Sequence, residues 1–565
     1  MTLSRRQLLH GGIGGSIAAL VGVSAVSSAR FAAPRRLGEP FSLGVASGEP
    51  TPDGVVLWTR LAPDPLAPDG YGGMTIAPVT VDYEVAEDER FTRVVVRGSA
   101  VATRELGHSV HPEVAGLAPD RWYYYRFRAG SAISPVGRTR TAPALGSPTA
   151  RLRFAFASCQ SWSSGYYTAY EHLGAEDLDL VVHLGDYIYE SSWVLARRGA
   201  HLPPQLAGEA VDLAGYRLRY AQAKGEAPLR TAHAAFPWLV TFDDHELDNN
   251  WAGDRPGLGL DVHRLAPLFR RRKAAAFQAM YEHQPMRLAQ LPAGPSIHLH
   301  RRYRFGDLAE FTMIDTRQYR TPQACGDGSA VLGCADRFAT DRTILGAAQR
   351  DWLVDGFATS PARWQVLGNQ VAMAQSDYDP GPDLLLGTDA WDGYVADRNT
   401  VLAAAADHAV DNLVVITGDR HENYVADLRR DYADPESPVV ATEFTGTSIS
   451  TGSDGADLTD TGRTRWPPTR TSSSTTASGA MSASIWIIDS GATTFVSSPT
   501  SAVRVPRSAR GRVSSSRTES PARSSQREGS RTTTAGRLTP VCAHPCPVRR
   551  RRCEVTRNPL RQNDS

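Results

Sequence analysis

The N-terminal part of the chain alternates between hydrophobic and polar residues in short runs. Residues 38–140 contain runs of β-branched and aromatic residues, and Gly, Pro and Asp turns separate them. Strands at this spacing over about a hundred residues are typical of an immunoglobulin-like β-sandwich. We therefore predict a β-sandwich domain over residues 38–140, followed by a linker from Pro143 to Pro148. Its clearest strands are predicted at Val55–Trp58, Val79–Val85, Arg93–Val96 and Trp122–Phe127.

From residue 151 the pattern changes to apolar runs that alternate with helical stretches such as Leu268–Ala279. Apolar strands and helices in alternation indicate an α/β domain, which we place over residues 151–460. In an open α/β sheet, the carboxyl ends of the strands meet at the crevice where ligands bind. Four predicted strands end in polar residues, and these strands are Leu152–Ala157, Leu178–Leu184, Trp238–Phe242 and Asn412–Thr417.

The second of these strands is followed by a glycine, an aspartate and, three residues later, a tyrosine. Gly185 allows a tight turn, and the two oxygens of the Asp186 carboxylate could bridge two cations. A phenolate from Tyr189 would favour ferric iron, a hard trivalent ion. The alternative is that Asp186 caps a helix and Tyr189 packs in the core.

The third and fourth strands end in further acids and histidines. The sequence Asp243-Asp244-His245-Glu246 is costly to bury unless cations neutralise it. Asp244 suits metal binding, and His245 suits proton donation to a leaving alkoxide. Asp419 and His421 follow the fourth strand and offer two more ligand types. A solvated acidic loop and a structural Asp–His hydrogen bond are the alternatives, but the four strand ends taken together favour a metal-assisted hydrolase.

Charge divides the chain into two parts. The net charge is +1, but residues 1–460 carry 43 basic and 55 acidic side chains. Residues 461–565 carry 18 arginines, no lysine and 5 acids, and they are rich in Ser and Thr. The acidic part suits a protein that binds cations, whereas the composition of the tail predicts disorder.

We predict that this tail results from a shift of the reading frame. Back-translation with one offset gives strand-like and turn-like sequence in three separate stretches of it. The run Arg549–Arg552 is therefore not interpreted as a nucleic-acid site, and no nucleic-acid partner is expected. Nor are Cys542, Cys546 and Cys553 interpreted as a metal site.

Residues 1–29 are predicted to be a twin-arginine signal peptide. Arg5 and Arg6 precede a mild apolar run that ends near small residues. The run is too short for stable membrane insertion, and an ordinary Sec signal is the alternative. We expect a secreted or cell-wall-associated protein that the twin-arginine export machinery carries. Outside the cell, Cys325 and Cys334 lie nine residues apart in a Gly-rich loop and are predicted to form a disulfide.

These motifs resemble the PhoD-type alkaline phosphatases and the related secreted phosphodiesterases and phospholipases D. The resemblance runs from about Phe41 to Gly455. It rests on the segments Gly44–Pro50, Val56–Arg60, Phe156–Gln160, His183–Glu190, Asp243–Glu246, Leu367–Gln370, Thr417–His421 and Glu443–Ser448. It implies an α/β fold class in which an immunoglobulin-like β-sandwich precedes a calcineurin-like metallophosphoesterase α/β sandwich. Ser158-Cys159-Gln160 stands where calcineurin-type enzymes have Asp-x-His.

The resemblance also implies the metals and the residues that bind them. It implies ferric iron and calcium, with Mn²⁺ or Zn²⁺ as alternatives. The implied iron ligands are Cys159, Asp186, Tyr189 and His421. Calcium is implied near Asp186, Asp244 and Asp419, and the groups implied close to the substrate phosphate are His245 and either Asn249 or Asn250.

The activity implied is hydrolysis of phosphate monoesters or diesters by a metal-activated hydroxide. The substrate would be a small-molecule, lipid or polymer phosphate ester, and we expect a monomer. One alternative is a phosphodiesterase or phospholipase D-type activity on diesters. The other is an inactive metal-binding protein whose C-terminal part is damaged.

Overall fold

The fold is described from a computed structural model, which describes residues 38–191, 202–257, 265–328, 331–379, 382–434 and 436–451. It also describes the backbone of residues 484–489, 492–497 and 501–506. The predicted signal peptide and most of the predicted tail, including the run Arg549–Arg552, lie outside the described residues. All described residues belong to one unit, residues 1–515.

The N-terminal region is built from strands that form two facing sheets. Its strands are β1 (Val45–Thr51), β2 (Gly54–Arg60), β3 (Val79–Ala86), β4 (Val94–Ala102), β5 (Ser109–Val110), β6 (Glu113–Val114), β7 (Trp122–Ala129), β8 (Ala132–Ile133) and β9 (Gly137–Arg140). Strands β1, β2, β5 and β6 belong to one sheet, and β4, β3, β7, β8 and β9 form the other. Val55 and Leu57 share a core with Val85 and Tyr125 of the facing sheet. The predicted strands of this region are therefore present.

The α/β region follows with strands and helices in alternation. Its elements are β10 (Arg151–Ala157), α1 (Thr168–Ala175), β11 (Leu180–His183), α2 (Leu213–Lys224), α3 (Ala227–Ala235), β12 (Pro237–Val240), α4 (Ala266–His283), β13 (Arg301–Phe305), β14 (Ala309–Met313), β15 (Val331–Leu332), α5 (Ala347–Thr359), β16 (Trp364–Asn369), β17 (Leu385–Leu386), α6 (Val395–Asp407), β18 (Leu413–Thr417), β19 (Tyr424–Arg429) and β20 (Val439–Thr445). Short 3₁₀ helices cover Arg104–Leu106, Pro204–Leu206, Leu288–Gln290, Ala335–Phe338 and Trp391–Gly393.

Two sheets pack face to face in this region, with helices outside both. Strands β10, β11 and β12 are parallel neighbours in one sheet, and β13, β14, β16, β18, β20 and β19 follow one another in the other. Phe154 and Phe156 of β10 share a core with Phe311 and Ile416 of the facing sheet. Ala155 points to the opposite side, where α1 to α4 cover the first sheet. Helices α5 and α6 cover the second sheet, so the region has four layers in the order α/β/β/α.

The four strands predicted to end at the site are β10, β11, β12 and β18. The expectation that one open sheet carries all four is wrong, because β18 belongs to the facing sheet. A strand buried on both faces has the same continuous apolar pattern in either arrangement. The carboxyl ends nevertheless lie close together, because the two sheets are stacked.

The N-terminal sheet is continuous with the first α/β sheet. Strand β1 pairs in parallel with β12, where Ser47 is opposite Pro237 and Gly48 is opposite Trp238. The predicted linker therefore does not separate two independent sheets. The full order of this sheet is β23-β22-β21-β10-β11-β12-β1-β2-β5, with β6 also paired to β2; its last three strands are β21 (Ser484–Asp489), β22 (Ala492–Ser497) and β23 (Ser501–Pro506).

Part of the predicted disordered tail is thus strand. The backbone of β21 pairs antiparallel with the edge of β10, and β22 and β23 extend the sheet. Isoleucine, tryptophan, threonine, phenylalanine and valine in β21 and β22 favour strands, and this local propensity outweighs the Ser, Thr and Arg composition on which the prediction relied. The prediction of disorder is wrong for these three segments, and the rest of the tail lies outside the described residues.

Two smaller predictions can be compared directly with the structure. Cys325 and Cys334 form the predicted disulfide, and Cys159 is a buried free thiol. Among the described residues, no helix is long and apolar enough to cross a membrane.

Candidate metal centre

Three predicted ligands come together between the two sheets. Cys159 follows β10, Asp186 follows β11 and His421 follows β18. Their ligand atoms, a sulfur, a carboxylate oxygen and a ring nitrogen, all lie within 4.8 Å of one another. The first two turns are bonded directly, since the Cys159 backbone N–H donates to Gly185 O at 3.2 Å. A mixed sulfur, oxygen and nitrogen set of this kind suits a transition metal.

The backbone at four predicted ligands is left-handed. The angle φ is +59° at Cys159, +56° at Asp186, +63° at Asp419 and +56° at His421. Residues with a Cβ avoid this region, and each instance costs about 1–3 kcal/mol unless the surroundings enforce it. Backbone strain of this kind clusters at functional sites, where it is part of how groups are positioned.

Tyr189 reaches the same group of side chains. Its hydroxyl donates to Asp186 Oδ2 at 3.0 Å and lies 3.4 Å from His421 Nε2. The Thr451 hydroxyl lies 3.0 Å from the Tyr189 oxygen and bonds the backbone carbonyl of Cys159 at 2.8 Å. Burial, and then the charge of Asp186, raises the pKa of Tyr189 well above its ordinary value. The four side chains expected around iron therefore lie together.

A second group shares Asp186 with the first. Asp244 and His245 follow β12, and their ligand atoms and that of Asp186 all lie within 4.8 Å of one another. The His245 backbone N–H donates to Asp186 Oδ1 at 3.4 Å. Asp186 thus has the position that a carboxylate bridging two cations would need.

Burial controls the charge on these acids. It raises the pKa of Asp186 well above its ordinary value. It raises the pKa of Asp243 to about 7, although the charge of Arg317 opposes the shift. Burial acts in the same direction on Asp244, but the charges of His245 and Arg317 outweigh it and lower the Asp244 pKa. Without cations, these carboxyls cannot all be ionised at neutral pH.

Arg317 was not predicted from the sequence. It follows β14, and its Nε donates to Asp243 Oδ1 at 2.6 Å. Its Nη1 lies 2.9 Å from Asp389, and its Nη2 lies 3.8 Å from Asp244 Oδ2. Strand β14 reads Ala-Glu-Phe-Thr-Met, so it lacks the continuous apolar run that marked the four other strands, and the same rule does not find Arg317.

Glu246 holds two strand ends in register. Its carboxylate accepts backbone N–H bonds from Asp186 at 3.0 Å, Tyr187 at 2.6 Å and Asp243 at 2.9 Å. Its place in the acidic motif did not reveal this role, because the bonded backbone groups lie on two different turns.

The two candidate asparagines lie in different surroundings. The Asn250 backbone N–H donates to Asp244 Oδ2 at 2.7 Å, and its side-chain amide donates to Asp327 Oδ1 at 2.8 Å. Asn249 is exposed. The structure therefore joins Asn250 to the acid cluster, and the role of Asn249 stays a prediction.

Asp419 is near both groups without belonging to either. Its charge acts on Cys159 and Asp243. Burial raises the pKa of Asp419 to about 6 against the charge of Arg420. The Asp419 carboxylate is therefore a candidate for a further ligand of a cation bound at this cluster.

The residues present fit metal ions. Asp186 belongs to both groups, the backbone of the predicted ligands is strained, and among the described residues the acids of the cluster outnumber the nearby cations, which include Arg317, Arg420 and His245. Burying such a cluster without cations would be costly. The thiol and phenol suit a trivalent or soft metal, and the carboxylates suit calcium or manganese.

Comparisons with known proteins agree over most of the chain. A family model described as PhoD-like phosphatase matches residues 154–484, and one described as PhoD-like phosphatase, N-terminal domain, matches residues 25–143. Alkaline phosphatase D of Bacillus subtilis (strain 168) is 44% identical over 465 residues, which cover 81% of this chain and 78% of that protein. The solved structure of PhoD is similar with a TM-score of 0.76 and 40% identity, covering 84% of this chain and 90% of that chain.

Proposed function

Because the chain belongs to the PhoD-like phosphatase family, we propose that this phosphoesterase works through a metal centre at the ends of β10, β11, β12 and β18. Asp186 supports this most directly, since its carboxylate lies close to Cys159 and His421 and also close to Asp244. A shared carboxylate would hold two cations close enough to act on one phosphate.

Ferric iron would be held by the first group together with Tyr189. Calcium would be held near Asp186, Asp244 and Asp419, with Mn²⁺ or Zn²⁺ as alternatives. These ions would supply a Lewis acid for the phosphate oxygens and for the attacking water.

The side chains of the chain itself would divide the remaining work. His245 would donate a proton to the leaving oxygen. Arg317 holds Asp243 and Asp244 in place through its buried guanidinium. Asn250, or Asn249, would bind the substrate phosphate. No residue is phosphorylated in this scheme.

The substrate would be a small-molecule, lipid or polymer phosphate ester. The test is to assay the exported protein on p-nitrophenyl phosphate and bis-p-nitrophenyl phosphate, with iron and calcium present. We expect hydrolysis that chelators abolish and that restored metal recovers. Hydrolysis that survives complete metal removal would contradict the metal centre. The ratio of the two rates would decide between a monoesterase and a diesterase of phospholipase D type.

The proposal also includes the fold class of the two regions of the chain. We propose that the N-terminal sheets form an immunoglobulin-like sandwich over residues 38–140. We also propose that the four-layer region over residues 151–460 is calcineurin-like.

The twin-arginine sequence before residue 29 supports export to the cell wall or medium. Loss of export on Arg5→Lys/Arg6→Lys substitution, with a Sec reporter unaffected, would test the route.

We retain the proposal that a frame shift altered the chain after residue 460. It is supported by the abrupt change to 18 arginines without a lysine over residues 461–565. Resequencing codons 455–480, with mass spectrometry of the C-terminal peptides, tests it. An unchanged reading frame would overturn it. An unchanged frame with no hydrolysis would favour the alternative of an inactive metal-binding protein.

A further inference from the structure

One buried acid next to the metal centre has no role in the scheme above. Glu190 directly follows the ligand Tyr189, and its side chain is 5% exposed. Its Oε2 accepts a hydrogen bond from His245 Nδ1 at 2.7 Å. We propose that Glu190 is the positioning residue of His245 and determines which ring nitrogen faces the scissile ester; this rests on the proposed function.

The ring of His245 is held from two directions. The 2.7 Å hydrogen bond to the Glu190 carboxylate engages Nδ1 as a donor. The ring stacks on Tyr189 with centroids 4.1 Å apart and planes at 29°. With Nδ1 engaged, only Nε2 is left to contact the substrate. In many catalytic histidines, the hydrogen bond made by one ring nitrogen determines the role of the other nitrogen.

Glu190 is itself held in place. Its backbone carbonyl accepts from Ala210 N at 2.7 Å. Its carboxylate lies within 4.8 Å of carboxylate oxygens of Glu209 and Asp248. The buried guanidinium of Arg272 lies 2.6 Å from Glu209 Oε1 and 3.3 Å from Asp248 Oδ1. Arg272 therefore pairs with Glu209 and Asp248, whereas the Glu190 carboxylate bonds His245.

The chemical step then balances within the proposed mechanism. Water supplies the oxygen that bonds to phosphorus, and the bond from phosphorus to the ester oxygen breaks. His245 Nε2 gives its proton to that departing oxygen. The attacking water releases one proton to solvent, and Nε2 takes one proton back from solvent before the next turnover. The proton on Nδ1 stays in the bond to Glu190 throughout.

The test uses leaving groups that need a proton to different extents. For the metal-loaded enzyme, kcat/KM is measured on p-nitrophenyl and phenyl esters of the class that the wild type cleaves. General acid catalysis contributes roughly 10²–10⁴-fold. Glu190→Gln should therefore lower kcat/KM about 100-fold for the phenyl ester and less than about 10-fold for the p-nitrophenyl ester. Metal content, measured alongside, should not change.

Two controls separate positioning from a structural effect. Glu209→Gln changes an acid of the same cluster that pairs with Arg272 and should leave the ratio of the two esters unchanged. The double variant Glu190→Gln/His245→Gln should be no slower than His245→Gln alone, because both changes remove one function.

The proposal fails if Glu190→Gln slows both esters equally or if its effect adds to that of His245→Gln. If Glu190→Gln does not fold, Glu190→Asp gives the same readout, with an intermediate ratio expected and an unchanged ratio contradicting the proposal. If the wild-type enzyme hydrolyses esters without metal, the proposed function is contradicted, irrespective of the kinetics of the Glu190 variants.

Discussion

Asp186 is the one side chain that both candidate ligand groups share. Asp186→Ala should remove bound metal and lower kcat/KM by at least about 100-fold, since even outer residues of metal sites cost 10–100-fold. The metal-free variant should unfold at the same or a higher temperature than the metal-free wild type, because it loses a buried acid from a repulsive cluster. Metal analysis, turnover and thermal unfolding measure the three effects.

The matched control is Asp177→Ala, which removes an exposed carboxylate that bonds only at the surface to Arg153. It should keep metal and activity. Normal iron content and normal rates in Asp186→Ala would contradict the assignment of the centre.

In the proposed iron site, Cys159 is the ligand that would favour iron over calcium. A thiolate and a phenolate on ferric iron would give visible absorption, so Cys159→Ser should remove both the iron and the colour. Burial, and then the charge of Asp186, raises the pKa of the Cys159 thiol, so a cation is needed to hold it ionised. The double change Cys325→Ser/Cys334→Ser, which removes the other described cysteines, should keep the spectrum. An unchanged spectrum in Cys159→Ser would show that its role is structural.

At the scale of strands and helices, the pairing of β1 with β12 joins the two regions. Gly48 lies in this pairing, and a Cβ there would come within 2.5 Å of Pro285 O and 2.7 Å of Trp238 O. Gly48→Ala should therefore lower the free energy of unfolding by about 1–3 kcal/mol, as overpacking does. Denaturant unfolding checks this, with Gly208→Ala as the control because a Cβ at Gly208 would have no atom within 4 Å. Equal stability of the two variants would contradict the prediction.

The strands of the molecule could be predicted from the sequence, but their pairing could not. Each apolar run that ends in polar residues became a strand, because hydrophobic runs bounded by turns are local signals. The assignment of β18 to a facing sheet and the join at Gly48 were not predictable, because pairing depends on distant residues. Cys159, Asp186 and His421 were found at strand ends, whereas Glu190 and Glu246 act through contacts that only the folded chain creates.

For the whole molecule, the buried acids couple stability to metal and to pH. In the metal-free protein burial raises the pKa of Asp419 to about 6 and raises those of Asp186 and Cys159 well above their ordinary values. The folded metal-free state therefore holds protons that the unfolded state has lost, and a binding cation must displace them. Metal affinity, and with it the stabilisation by metal, must then rise with pH.

We expect the difference in unfolding temperature between calcium-loaded and chelated protein to grow between about pH 5 and pH 8 at a fixed free calcium concentration. Lys224, whose pKa burial lowers, affects both forms alike and cancels in the difference. Asp186→Ala should flatten the dependence, since it removes a proton that calcium displaces. A difference that stays constant with pH in the wild type would mean that calcium binds away from these acids. The fold would then be stable although no calcium ion neutralises the acid cluster.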